Sequence, residues 1–164
     1  MIKHLTASVF VFAQIEGELR VAMVQQPRLG KRMIPGGHVE DNETAAEAGE
    51  RETEEETGLR GVELLEPACP DLPAGYPHPR MPQPWWVSEL RVPADNHLGE
   101  PHVHVDHVFV ALADLDQPAG AGVHETVWMS LEELLEHPDV FEDTKLLAKE
   151  LFPRIAGIVA VGAI

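Results

Sequence analysis

Cysteine is all but absent from this chain, where Cys69 stands alone. One thiol permits no internal disulfide, so the core must hold the fold, and a reducing, cytoplasmic setting is expected. Cys69 itself reads as a small loop or interior thiol rather than a nucleophile. Cations are scarce as well. Twelve Lys and Arg face 28 Asp and Glu, for a net charge of −16, which leaves no basic surface to displace counterions from a nucleic acid polymer. A single nucleotide whose phosphates arrive with metal is not excluded. Long apolar runs are missing too. Ala7 to Ala13 is short and continues as a hairpin rather than a cleavage site. The tail Ile155 to Ile164 has only ten residues, too few to span a bilayer. That tail is open to three roles: covering a sheet edge, joining a homodimer interface, or fraying. At 164 residues the chain reads as one domain, large enough to bury a real core.

Glutamate, by contrast, is concentrated. Five of the seven residues from Glu50 to Glu56 are glutamates, inside a segment that reads as one helix. Asn42 is the expected N-cap, the alanines after it favour helix, and Gly58 supplies the stop. At about 100° per residue, Glu52, Glu55 and Glu56 share one third of the circumference. Ala46, Gly49 and Thr53 form a small-residue stripe beside them, and Glu43, Glu47, Glu50 and Glu54 face water. Like charges three and four residues apart cost a few tenths of a kcal/mol each. A row of three carboxylates is therefore unfavourable unless a cation sits among them. Hard divalent ions want oxygen ligands, and Mg²⁺ is held by a few carboxylates together with substrate phosphates.

Around that helix the chain alternates strands and turns. Leu5 to Phe12 and Leu19 to Gln25 read as a strand pair with a glycine turn. Pro27 to Met33 is a basic loop whose Arg28, Lys31 and Arg32 are candidates for substrate phosphates. Val62 to Glu66 is a short strand. Pro67 to Pro101 then holds nine prolines, too many for a helix or central strand, and reads as a long excursion. Within it, Tyr76 and Trp85 are candidates to stack on a nucleobase, packing onto the core being the other reading for the tryptophans; Trp85 to Val92 could form a strand. His102 to Leu112 is a strand with His102, His104 and Asp106 on one face. That pattern suits polar lining of a substrate cleft, through His104, or ordinary surface histidines, better than it suits zinc, for which a further ligand would have to be placed. Val123 to Met129 is the next strand, followed by Ser130 as N-cap with Glu133 at the capping-box position and a helix ending near Pro138. A last helix opens at Glu142 or Asp143 and ends near Phe152, before Pro153.

The turn and helix together give Gly37, five residues, Glu43, seven residues, then Arg51-Glu52-Thr53-Glu54-Glu55-Glu56-Thr57-Gly58-Leu59. This spacing resembles the Nudix box, with every charged and glycine position filled and one departure, Thr53, where an aliphatic residue is usual. The resemblance implies an α/β fold, a Nudix-type α/β/α sandwich with a mixed sheet and the box helix at the catalytic face. It implies Mg²⁺- or Mn²⁺-dependent hydrolysis of a nucleoside diphosphate linked to another group. Glu52, Glu55 and Glu56 would hold the metal together with the Gly36 carbonyl, and Arg51 would meet Glu43 and orient the site. The general base would be Glu52 or a carboxylate from a later loop, Glu125 first and Asp106 behind it. Family markers for particular substrates, a proline or a tyrosine downstream of the box, do not discriminate here, because Pro73 and Tyr76 both stand near the relevant distance. The chain's shortness slightly favours (deoxy)nucleoside triphosphates over ADP-ribose, nucleotide sugars and dinucleoside polyphosphates. A nucleotide-sensing module without turnover is the reading from a different class, and the intact box weighs against it.

Overall fold

A computed structural model describes residues 1–162. Eight strands form one mixed sheet: β1 (Lys3–Ile15), β2 (Glu18–Gln26), β3 (Lys31–Met33), β4 (Gly36–His38), β5 (Glu63–Leu65), β6 (Trp86–Val92), β7 (His102–Leu112) and β8 (Thr126–Met129). Three helices complete the chain: α1 (Ala45–Thr57), α2 (Leu131–Glu136) and α3 (Glu142–Ala160). At the centre β1 and β7 run parallel, in register from Lys3 with Val103 to Phe12 with Leu112. The other edge of β1 is shared. Phe12 to Ile15 pair with β2, whereas Thr6 to Ser8 pair with β4. Likewise β5 and β6 divide the outer edge of β7.

Alternation along these strands sorts the core into two layers. Ala7, Val9, Val11, Phe109 and Ala111 point to one face and pack beneath α1. Phe10, Phe12, Val108, Val110 and Leu112 point to the other, against Leu134 of α2 and Ala148, Leu151, Phe152 and Ile155 of α3. Helices on both faces of a mixed sheet make the expected α/β/α sandwich. Gly49 lets α1 approach closely: a Cβ there would lie 3.0 Å from the Val9 methyl.

Several boundaries differ from the sequence reading. Thr44, not Asn42, caps α1, because only Thr44 has a glutamate three residues on; Thr44 and Glu47 close a full capping box. Glu43 does not face water, since its carboxylate is turned onto Arg51 and is 11% exposed. The loop segments around Pro35 contain two short strands, β3 and β4, and β8 begins three residues later than Val123. Helix α3 runs through Pro153 to Ala160. Pro153 is exposed, while Ile155, Ile158 and Val159 continue the apolar stripe against the core, so packing carries the helix past the proline. Most of the apolar tail is thus helix end; Ala163 and Ile164 lie outside the described residues. Among the described residues, no helix is long and apolar enough to cross a membrane.

Candidate active site

The site is built where β4 meets α1. In β4, Gly37 faces the α1 side of the sheet, and a side chain there would collide with the Glu52 carboxylate. Gly36 donates its N–H to Glu56 Oε1 at 2.9 Å, and a Cβ on Gly36 would lie 2.5 Å from the Ala7 carbonyl. Both glycines are therefore required by close approach. Arg51 organises the ridge. Its guanidinium grips Glu43 in a bidentate pair at 3.1 and 2.7 Å, and donates to Glu52 at 2.9 Å, Glu55 at 3.2 Å and the His38 carbonyl at 3.0 Å. This forked geometry suits guanidinium and not ammonium. Thr53 is fully buried, and its hydroxyl is satisfied by donating to the Gly49 carbonyl at 2.8 Å.

Electrostatically the ridge is under-neutralised. Burial pushes the Glu56 carboxyl up to about 7, the Gly36 N–H opposing and the Glu52 and Glu55 charges adding. Burial also raises Glu52, against the pull of Arg51. Glu43 goes the opposite way because Arg51 bonds its charged form. Three carboxylates offer hard oxygen donors to a divalent cation, and Glu56 has no Arg or Lys partner among the described residues. The donor chemistry fits such an ion. Glu52 and Glu55 are turned toward Arg51, and Glu56 onto Gly36.

At the C-terminal end of α1, Gly58 adopts φ 77° as the left-handed cap. The loop from Gly120 to His124 then docks on the helix end. Gly120 N–H reaches the Gly58 carbonyl, Val123 N–H the Glu55 carbonyl and His124 N–H the Glu56 carbonyl, at 2.8 to 3.1 Å. His124 Nε2 comes to 3.7 Å from Glu56 Oε2. His124 is not among the residues to which the sequence points; its neighbour Glu125 is, and there the side chain is exposed and the carbonyl accepts from Gln25 N–H. Nothing in the spacing shows which of two adjacent loop residues faces the helix. A cleft of about 430 Å³ lies here, lined by Arg51, Glu54, Glu55, Gly58 and Arg60 with Gly120 and Ala121.

The other expected residues lie elsewhere. Arg28 reaches Asn96 at 3.3 Å, Lys31 sits over the Phe141 ring, and Arg32 bonds Gln25 and lines a groove with Trp128, Met129 and Glu133. Trp85 is half-buried, its indole N–H donating to the Leu65 carbonyl at 2.8 Å. Tyr76 is exposed beside His78. Asp106 is taken up by the Thr6 and Ser8 hydroxyls at 2.8 and 3.0 Å. His104 belongs to a separate cluster on the sheet face opposite α1, with His38, Asp95 and His102. There burial, with His97 and His104 adding, lowers His38 to about 4.

Comparison with known proteins agrees with this architecture. The NUDIX domain family profile matches residues 3–149. Among solved structures, a NUDIX-family hydrolase from Clostridium perfringens is 24% identical with a TM-score of 0.69, over 92% of this chain and 96% of that one. The Ap4A hydrolase of C. elegans is 16% identical with a TM-score of 0.63, over 94% and 99% of the two chains. The NUDIX domain of Shewanella oneidensis NrtR, solved with ADP ribose, is 20% identical with a TM-score of 0.57, over 94% and 90%. No curated protein matches. With the profile spanning nearly the whole sequence and the glutamate ridge in place, the chain belongs to the NUDIX family.

Proposed function

We propose that this protein hydrolyses a nucleoside diphosphate linked to another moiety, with (deoxy)nucleoside triphosphates as the preferred substrates and Mg²⁺ or Mn²⁺ as cofactor. The observation that carries the reading is Glu56: a largely but not fully buried carboxylate, pushed up to about 7 by burial beside two further carboxylates and held against the glycine turn by the Gly36 N–H. Glu52, Glu55 and Glu56 would hold the cation, with the Gly36 carbonyl. Once bound, a divalent ion neutralises the diphosphate and lowers the pKa of the attacking water.

The chain's own groups do the rest. Arg51 fixes the glutamates in orientation through Glu43 and the His38 carbonyl. Glu52, which abuts Gly37, would accept the proton of the attacking water, and Glu125 is the second candidate for that role. Tyr76 keeps a ring free for a base, whereas the indole edge of Trp85 is already engaged. Arg28, Lys31 and Arg32 each have protein partners away from the ridge, which weakens the phosphate role read for them. The test is a Mg²⁺-dependent hydrolysis screen over nucleoside triphosphates, dinucleoside polyphosphates, nucleotide sugars and ADP-ribose, with products identified. Release of pyrophosphate and a nucleoside monophosphate from triphosphates is the expected result. Nucleotide binding without turnover of any of them would make the protein a sensor.

A further inference from the structure

Five of the nine histidines (His4, His38, His97, His102 and His104) gather on the sheet face opposite α1, where β4, β1 and β7 lie side by side. We propose that four residues here, His38, Asp95, His102 and His104, form a second metal site, specific for zinc-like ions and independent of the box glutamates. The distances carry the proposal. His102 Nε2 and His104 Nε2 are 3.1 Å apart, and Asp95 Oδ2 lies 3.3 Å from the first and 3.6 Å from the second. Ligand atoms at the corners of a tetrahedron with bonds of about 2.0–2.2 Å are about 3.3–3.6 Å apart. The ligand atom of His38 completes the group, all four lying within 4.8 Å of one another.

The supporting contacts point the same way. His102 is fully buried and its Nδ1 meets the Glu100 carbonyl at 3.0 Å, which fixes a proton there and turns the Nε2 lone pair inward, the usual support for a metal-bound imidazole. Asp95 Oδ1 accepts the N–H groups of His97 and Leu98 at 2.7 and 2.9 Å, so Oδ2 is left aimed at the histidines. His38 Nε2 is buried without a hydrogen-bond partner. Three imidazole nitrogens and a carboxylate favour zinc-like ions, whereas magnesium prefers oxygen alone. Asp106, which shares the strand face with His102 and His104, is not a ligand; Asp95, from the proline-rich excursion, takes that place. With four protein ligands the site is closed, and it ties the Asp95–Leu98 turn to β7 and β4. No water-activating position is left, so it is structural.

Cobalt titration of the chelator-treated full-length protein tests this. One equivalent of Co²⁺ should give the intense visible absorption of a tetrahedral centre, displaced by one equivalent of Zn²⁺, and Zn²⁺ should protect residues 93–101 from proteolysis. Asp95→Asn keeps the Oδ1 acceptor for the turn and removes the anionic ligand; it should weaken Zn²⁺ binding about 100-fold, with an unchanged circular dichroism spectrum. The double variant Glu55→Gln/Glu56→Gln should bind Co²⁺ as the parent does. No tetrahedral spectrum, or equal zinc affinity in Asp95→Asn, overturns the site. Loss of the spectrum in the box variant would assign the ion to the ridge instead.

Discussion

Thr53 shows how a single side chain departs from its family pattern at little cost. Its hydroxyl is buried, but it bonds the carbonyl one turn back, so no polar group is stranded. Thr53→Val should therefore leave kcat unchanged and alter stability by no more than about 1 kcal/mol, read by denaturant unfolding. Glu56 behaves oppositely. In the metal-free protein its folded value of about 7 lies above the unfolded value of 4.5, so the folded state holds the extra proton between them. Stability of the chelator-treated protein should fall as pH rises through that window and level off above it. Thermal denaturation at about pH 5 and about pH 8 checks this, with Mg²⁺ restoring more stability at the higher pH. Glu56→Gln should remove most of the slope, raise the metal-free Tm at about pH 8 and cut kcat at least about 100-fold; a normal kcat would remove Glu56 as a ligand. At this scale the ridge glutamates and the Arg51–Glu43 pair were legible, because helical period and motif spacing fix them. His124, His38 and Asp95 were not, because loop and strand partners distant in sequence bring them into place.

Among the elements, β4 has the densest duties for three residues. Gly37 abuts Glu52 on the α1 face, and His38 joins the histidine cluster on the other, as strand alternation requires. Gly37→Ala should displace the flexible Glu52 carboxylate, lowering kcat with little loss of Tm. Gly36→Ala meets backbone at Ala7 and should lower Tm markedly; steady-state kinetics beside thermal melts separate the two. In α3, Pro153 is exposed and lies inside a helix whose apolar stripe continues beyond it. Pro153→Ala should stabilise the protein by about 1–3 kcal/mol, measured by urea unfolding. The sequence reading stopped this helix at the proline, since local propensity favours a break there; tertiary packing overrides it. The strands of the sheet were mostly legible from β-branched alternation, whereas β3 and β4 are too short to show a period.

For the whole molecule, the α/β/α layering was implied by the resemblance of the box, but the strand order was not. Nothing local indicates that β1 pairs with β7, roughly a hundred residues away. That ladder has a consequence for the growing chain. The buried strand Ala7 to Ala13 is made about a hundred residues before its longest partner, which does not exist until residue 112 has been made. Sheet closure must then wait for β7, and ordering so long an intervening segment slows it further. Until then an apolar ribbon waits uncovered, which makes the nascent protein a natural client for holdase chaperones and prone to aggregate when synthesis stalls between the box helix and β7.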